Sequence, residues 1–159
     1  MVILKPITTE NWEQAINLKV FPVQEKFVPS VAISLAKAYI RPDGVTHDPI
    51  GIFSEATGEM VGFYSYMYRP HNMRVVYIGG FLIDERFQRQ GYGVATMELF
   101  LQNIQSELPE CEGVYLTVHP ENHSAERFYS QFGFSKTGLV IGQEDAMGLT
   151  FPNSVMRQN

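Results

Sequence analysis

Cysteine is nearly absent from this 159-residue chain: a single one, Cys111, excludes an internal disulfide framework and fits a reducing, cytoplasmic location. Charged residues are sparse at 18%, and the basic sign is the scarcer, with 12 Lys+Arg against 17 Asp+Glu. The net charge of −5 speaks against binding a phosphate backbone, so no nucleic-acid partner is expected. An acidic surface suits a cationic small molecule better. No apolar run approaches the ~20 residues that span a bilayer, and no membrane partner is expected. The opening stretch reaches Pro6 and polar residues too soon for a signal peptide. Repeats, low-complexity tracts and linkers are missing too, so residues 1–159 read as one domain. What is present is a globular composition, 45% hydrophobic, in a chain long enough to hide roughly two-thirds of its unfolded surface.

Local patterns give an order of elements. Residues 2–7 read as a strand. Asn11 with Gln14 predicts a helix N-cap and its reciprocal partner, opening a helix over 12–19 that ends before Pro22. Pro29-Ser30 opens a second helix carrying Val31, Leu35 and Ala38, which Arg41-Pro42-Asp43-Gly44 stops. Strands follow at 50–54, 60–68 and 75–83, the last broken by Gly79-Gly80, a pair that signals a bulge or a close backbone approach. A long helix over 91–107 has Val94, Met97, Leu101, Ile104 and Leu108 on one stripe. Then come a strand at 113–118, a helix over 122–131 capped by Asn122, and short strands near 133–140 and 144–151. Trp12 and the Phe and Tyr residues read as core and pocket walls. The mixture predicts an α/β fold with a largely antiparallel sheet and flanking helices, the 83–114 crossover making one parallel pair.

Chemistry concentrates where the apolar strand ending Phe81-Leu82-Ile83 runs through Arg86, Gln88-Arg89-Gln90-Gly91-Tyr92-Gly93 into the long helix. Glycines let backbone N–H groups close around an anion, the helix start adds partial positive charge, and Arg86 and Arg89 supply charge-assisted contacts. That is a phosphate or pyrophosphate cradle. A P-loop is excluded, because Val94-Ala95-Thr96 stands where Lys-Ser/Thr belongs. The dinucleotide fingerprint is excluded by Thr96 at its third glycine and by the hairpin-like strands before it.

The remaining cradle type fits. Gln88-Arg89-Gln90-Gly91-Tyr92-Gly93 resembles the Q/R-x-x-G-x-G/A loop of the GNAT family of N-acetyltransferases. Asn122-His123-Ser124-Ala125-Glu126-Arg127-Phe128-Tyr129 with Phe132-Gly133-Phe134 resembles the family's second signature, 29 positions from Gly93 to Asn122. The element order follows the family over essentially the whole chain. The resemblance implies the GNAT fold and acetyl-CoA as co-substrate. Leu82 and Ile83 would offer backbone groups to the pantetheine arm. The backbone of Arg89, Gln90, Gly91, Tyr92, Gly93 and Val94, with the Arg89 side chain, would hold the pyrophosphate. Asn122 would bond the cofactor arm, and Tyr129 would be the general acid that protonates the departing thiolate. Many family members carry an acidic base on the fourth strand. Here Gly79-Gly80 stand in that region and Asp84 and Glu85 follow it, leaving water relayed by Glu25 or a backbone carbonyl as routes for the amine's proton.

Residues 24–28 and 34–39 also resemble the N-terminal half of bacterial spermine/spermidine acetyltransferases, placing Glu25 where an acid binds the cationic chain. The implied activity is direct acetyl transfer to a primary amine of a small polyamine. A peptide N-terminus, an amino acid, an aminoglycoside, or acetyl-CoA sensing without turnover are the alternatives. Pairing through C-terminal strands is common in the family, so the resemblance admits a homodimer. His119 and His123 are interrupted by Pro120 with no third ligand near, so no metal is expected. Glu110 and Glu112 beside Cys111 disfavour a thiolate.

Overall fold

The computed structural model describes residues 1–152. Strands β1 (Val2–Pro6), β2 (Thr46–Ser54), β3 (Met60–Arg69), β4 (Asn72–Ile83), β5 (Gly113–Val118), β6 (Ser135–Ile141) and β7 (Glu144–Thr150) form one sheet, ordered β1-β2-β3-β4-β5-β7-β6. Only β4 and β5 run parallel, joined by the crossover helix α3 (Tyr92–Glu107) as expected. Helices α1 (Trp12–Ile16) and α2 (Val31–Ile40) precede β2, and α4 (His123–Ser130) lies between β5 and β6. Among the described residues no helix is long and apolar enough to cross a membrane.

Alternation along the strands divides the core between two faces. Phe63 and Leu82 pack with Ala15, Leu18 and Val31 on the α1–α2 side. Tyr64, Val76, Ile78 and Val114 pack with Met97, Phe100, Ile104 and Tyr129 on the other. The buried stripe of α3 is Thr96, Met97, Phe100, Leu101 and Ile104. Val94, expected on it, is exposed in the first turn.

Several local expectations are corrected. Helix α1 stops at Ile16, and Asn11 precedes it without capping it: its Oδ1 accepts from Thr8 N at 2.8 Å while its Nδ2 donates to Pro6 O. The side chain closes the preceding turn instead. In so short a helix Ala15 alone is buried, and Trp12 is 43% exposed rather than core. Strand β2 begins at Thr46, running through Pro49. Pro49 turns its carbonyl, and with it the place of its missing N–H, toward the β1 flank, where Ile7 N donates to it at 3.0 Å. No bond to β3 is lost, so the proline is tolerated.

Candidate functional site

Strands β4 and β5 pair only from Val75↔Gly113 to Tyr77↔Tyr115. Beyond that seam they part, and β3 alone flanks β4. The glycine pair sits at the opening. Ser65 pairs with Gly79 and Phe63 with Leu82, so Tyr64 alone faces two residues, and Gly80 takes φ +60°. This is the expected bulge, built on a glycine in the left-handed region. A Cβ on Gly80 would lie 2.8 Å from Ser34 Oγ of α2. Ser65 is buried with its Oγ unbonded. No carboxylate lies on β4.

From the end of β4 the chain enters a loop fixed by Asp84. This buried carboxylate accepts from Lys19 N, Arg86 N and Arg86 Nε at 3.0, 3.0 and 2.9 Å. Burial alone would raise its pKa, but the Arg86 and Lys19 hydrogen bonds prevail and hold it below the ordinary value. Arg86 thereby gives its Nε to Asp84, while its guanidinium stays exposed. Arg89 is exposed, with no ion pair among the described residues. Its φ of +60° and that of Gly91, +88°, turn the loop sharply into α3. The first N–H groups of α3 have no acceptors within the helix, leaving them for an anion. Gln90 Nε2 donates to Arg86 O, and Tyr92 Oη donates to Ser54 Oγ, so Tyr92 faces this cradle with its backbone. Leu82 buries its side chain on the α1–α2 face, and Ile83 O accepts from Gln88 Nε2 at 2.9 Å.

The facing wall is α4. Asn122 Oδ1 caps it, accepting from Ala125 N at 3.2 Å, which leaves its Nδ2 free. Tyr129 is buried among Phe81, Phe128 and Phe134, ring centroids 5.2–6.5 Å away. Its hydroxyl makes no hydrogen bond within the described residues, and burial raises its pKa, so it stays a protonated donor. Gly93 belongs to this junction: a Cβ there would touch the Phe128 ring at 3.5 Å.

Above the opening runs the segment 21–28, built on a 3₁₀ turn at Pro22–Gln24. Glu25, the expected acceptor ligand, is exposed at the end of this turn. Its neighbours reach both sides. Gln24 and Gln88 exchange two amide hydrogen bonds of 2.9 and 3.1 Å. Lys26 Nζ lies 3.1 Å from Glu121, and Phe27 packs against His119, centroids 5.3 Å apart and rings tilted by 54°. The pairing of Gln24 with Gln88 had no signal in the sequence, since 64 positions separate them. His47, buried with Nε2 3.2 Å from both Asp43 oxygens, was missed as well, although a His four positions after an Asp at a turn is a recognisable pattern. Cys111 is buried, and its thiol pKa is raised by that burial first and by Glu110 and Glu112 after it.

An anion cradle, a parting of two strands and a protonated phenol are thus brought together by β4, α3 and α4. Residues 10–134 match the model of the acetyltransferase (GNAT) family. Among known proteins the chain is 30% identical over 141 residues to a spermine/spermidine N(1)-acetyltransferase of Bacillus subtilis, covering 85% of this chain and 88% of that one. In structure it is similar to the spermidine N-acetyltransferase of Vibrio cholerae in complex with CoA and spermine. The TM-score is 0.69 at 14% identity, over 97% of this chain and 98% of that one. The Escherichia coli ribosomal-protein-S18-alanine N-acetyltransferase gives 0.67 at 18% identity, over 94% of each. At such identities the two structures speak for the fold alone.

Proposed function

Since the chain belongs to the acetyltransferase (GNAT) family, we propose that it transfers the acetyl group of acetyl-CoA directly to a primary amine of a small polyamine. One observation carries the transfer reading: the Tyr129 ring lies 6.5 Å from Phe81, on the part of β4 that no longer pairs with β5, while Gly93 at the start of α3 abuts Phe128 of the same helix as Tyr129. The Bacillus subtilis relative, named for spermine and spermidine, supports the polyamine reading, as does the net charge of −5.

The residues fit the co-substrate. The N–H groups of Tyr92, Gly93 and Val94, with the turn at Arg89, Gln90 and Gly91, would hold the pyrophosphate, and the uncommitted Arg89 guanidinium would neutralise it. Ile83 would present its backbone to the arm, whereas Leu82, against expectation, turns its backbone groups to Phe63 of β3, and Asn122 would meet the arm with Nδ2. When bound, acetyl-CoA supplies an activated acetyl group and a thiolate leaving group. Tyr129 holds a proton on Oη through the whole neutral range and would deliver it to that thiolate. Glu25 would draw the cationic acceptor to the opening. The acceptor's own proton leaves to water relayed by Glu25 or by a backbone carbonyl, since β4 carries no carboxylate. We take residues 1–159 as one catalytic domain acting in the cytoplasm without a metal, alone or as a homodimer.

The test is release of free CoA from acetyl-CoA against spermidine, spermine, putrescine, lysine, a short peptide and an aminoglycoside. Turnover is expected to favour spermidine or spermine. Turnover confined to the peptide or the aminoglycoside would overturn the polyamine reading and leave the transfer chemistry standing.

A further inference from the structure

The segment 21–28 touches both sides of the opening. Through Gln24 it holds Gln88, which leads into the cradle. Through Lys26 and Phe27 it holds Glu121 and His119, which lead into α4. Glu25 stands between those two attachments. Lys26, the cation nearest to it in sequence, is drawn to Glu121, which leaves Glu25 to an incoming amine.

We propose that Gln24 is a positioning residue that couples occupancy of the cradle to capture of the acceptor amine, acting through its amide pair with Gln88. This rests on the acetyltransferase reading above. Gln88 has two anchors: its Nε2 donates both to Ile83 O and to Gln24 Oε1, and its Oε1 accepts from Gln24 Nε2. An anion seated at the α3 N-terminus immobilises the loop that begins at Gln88. The ordered amide then fixes Gln24, and Gln24 fixes the turn bearing Glu25. A second ligand meeting a segment already ordered pays less entropy, and such coupling is reciprocal. Gln24 Oε1 also accepts from Phe21 N at 3.1 Å, closing its own turn. Gln24→Glu keeps that closure while setting an oxygen against Gln88 Oε1. Gln88 cannot flip in response without abandoning Ile83 O.

The experiment measures spermidine affinity with and without CoA, which forms a dead-end complex, together with backbone hydrogen exchange of residues 21–28 with and without CoA. In the native protein CoA is expected to tighten spermidine binding at least fivefold and to slow exchange at Phe27, whose N–H donates to Gln24 O, at least fivefold. In Gln24→Ala and Gln24→Glu both effects fall below twofold, while CoA alone binds within twofold of native. Coupling that survives both substitutions overturns the proposal. So does CoA affinity that collapses in Gln24→Glu, which would make Gln24 a part of the cradle itself, or CoA that leaves native exchange at Phe27 unchanged. If spermidine does not bind but CoA still protects Phe27 in a Gln24-dependent way, the coupling stands and the polyamine reading falls.

Discussion

Replacing Tyr129 by Phe removes one oxygen and leaves the ring packing among Phe81, Phe128 and Phe134 in place. A placed acid contributes about 10²–10⁴-fold. Turnover of Tyr129→Phe is therefore expected to fall at least about tenfold, with CoA affinity by titration unchanged; unaltered turnover would remove Tyr129 from the chemistry. Ser65 poses the opposite case. Its Oγ is buried without a partner, so Ser65→Ala discards a desolvated hydroxyl and leaves little void. Thermal unfolding is expected to show it equal to native or up to about 1 kcal/mol more stable. Asp84 gives a pH signature. Its pKa is lowered in the folded state, so its stabilisation is complete above the unfolded value of about 3.9 and disappears as pH falls through the folded one. Asp84→Asn is expected to cost about 1.5–3 kcal/mol at pH 7, the scale of hydrogen bonds to a charged group. Denaturant titrations should show that gap constant down to about pH 4 and closing below it.

At the scale of elements, the bulge of β4 makes a contrast between glycines. Gly58 and Gly80 both have positive φ, +75° and +60°, but a Cβ at Gly58 meets open space whereas one at Gly80 meets Ser34 Oγ. Gly58→Ala is expected to cost only backbone strain, about 1–2 kcal/mol, and Gly80→Ala measurably more by chemical denaturation. Equal costs would mean that Ser34 turns aside freely. How far these elements were legible depends on how many partners each group could take. Helices α3 and α4 and strand β5 announce themselves because their signals are local: a 3.6-residue stripe, Asn122 before His123, and an apolar run closed by Pro120. Both motifs likewise mark the cradle and Tyr129, since each lies within one strand-to-helix or helix segment. What could not be read depends on which of several partners a group takes, near or far along the chain. Pro49 looks like a strand breaker until β1 is seen to leave its flank open. Asn11 looks like a cap until Pro6 and Thr8 compete for its side chain. Nor does the motif show that Asp84 takes the Nε of Arg86.

For the molecule as a whole, pH and salt probe the proposed reaction from outside. The Tyr129 pKa is raised, so its hydroxyl stays protonated as pH climbs to about 10, and any stability tied to its neutral form is lost only above that. The acceptor, in contrast, reacts as the free amine. Catalytic efficiency with spermidine is accordingly expected to rise from pH 7 to pH 9 without an alkaline decline in that window. A decline there would mean that a group other than Tyr129 supplies the proton. Raising the salt concentration should increase KM for the cation more than for acetyl-CoA if exposed Glu25 draws it in. The parted strands carry one more consequence. Among the described residues, the backbone stitching between the four-stranded β1–β4 panel and the three-stranded β5–β7 panel is short: three residue pairs, from Val75↔Gly113 to Tyr77↔Tyr115, and the bond from Glu112 N to Arg74 O just before them. Mechanically the molecule is a book with a short spine, and whatever lies between its pages bears load that in a continuous sheet the backbone itself would carry.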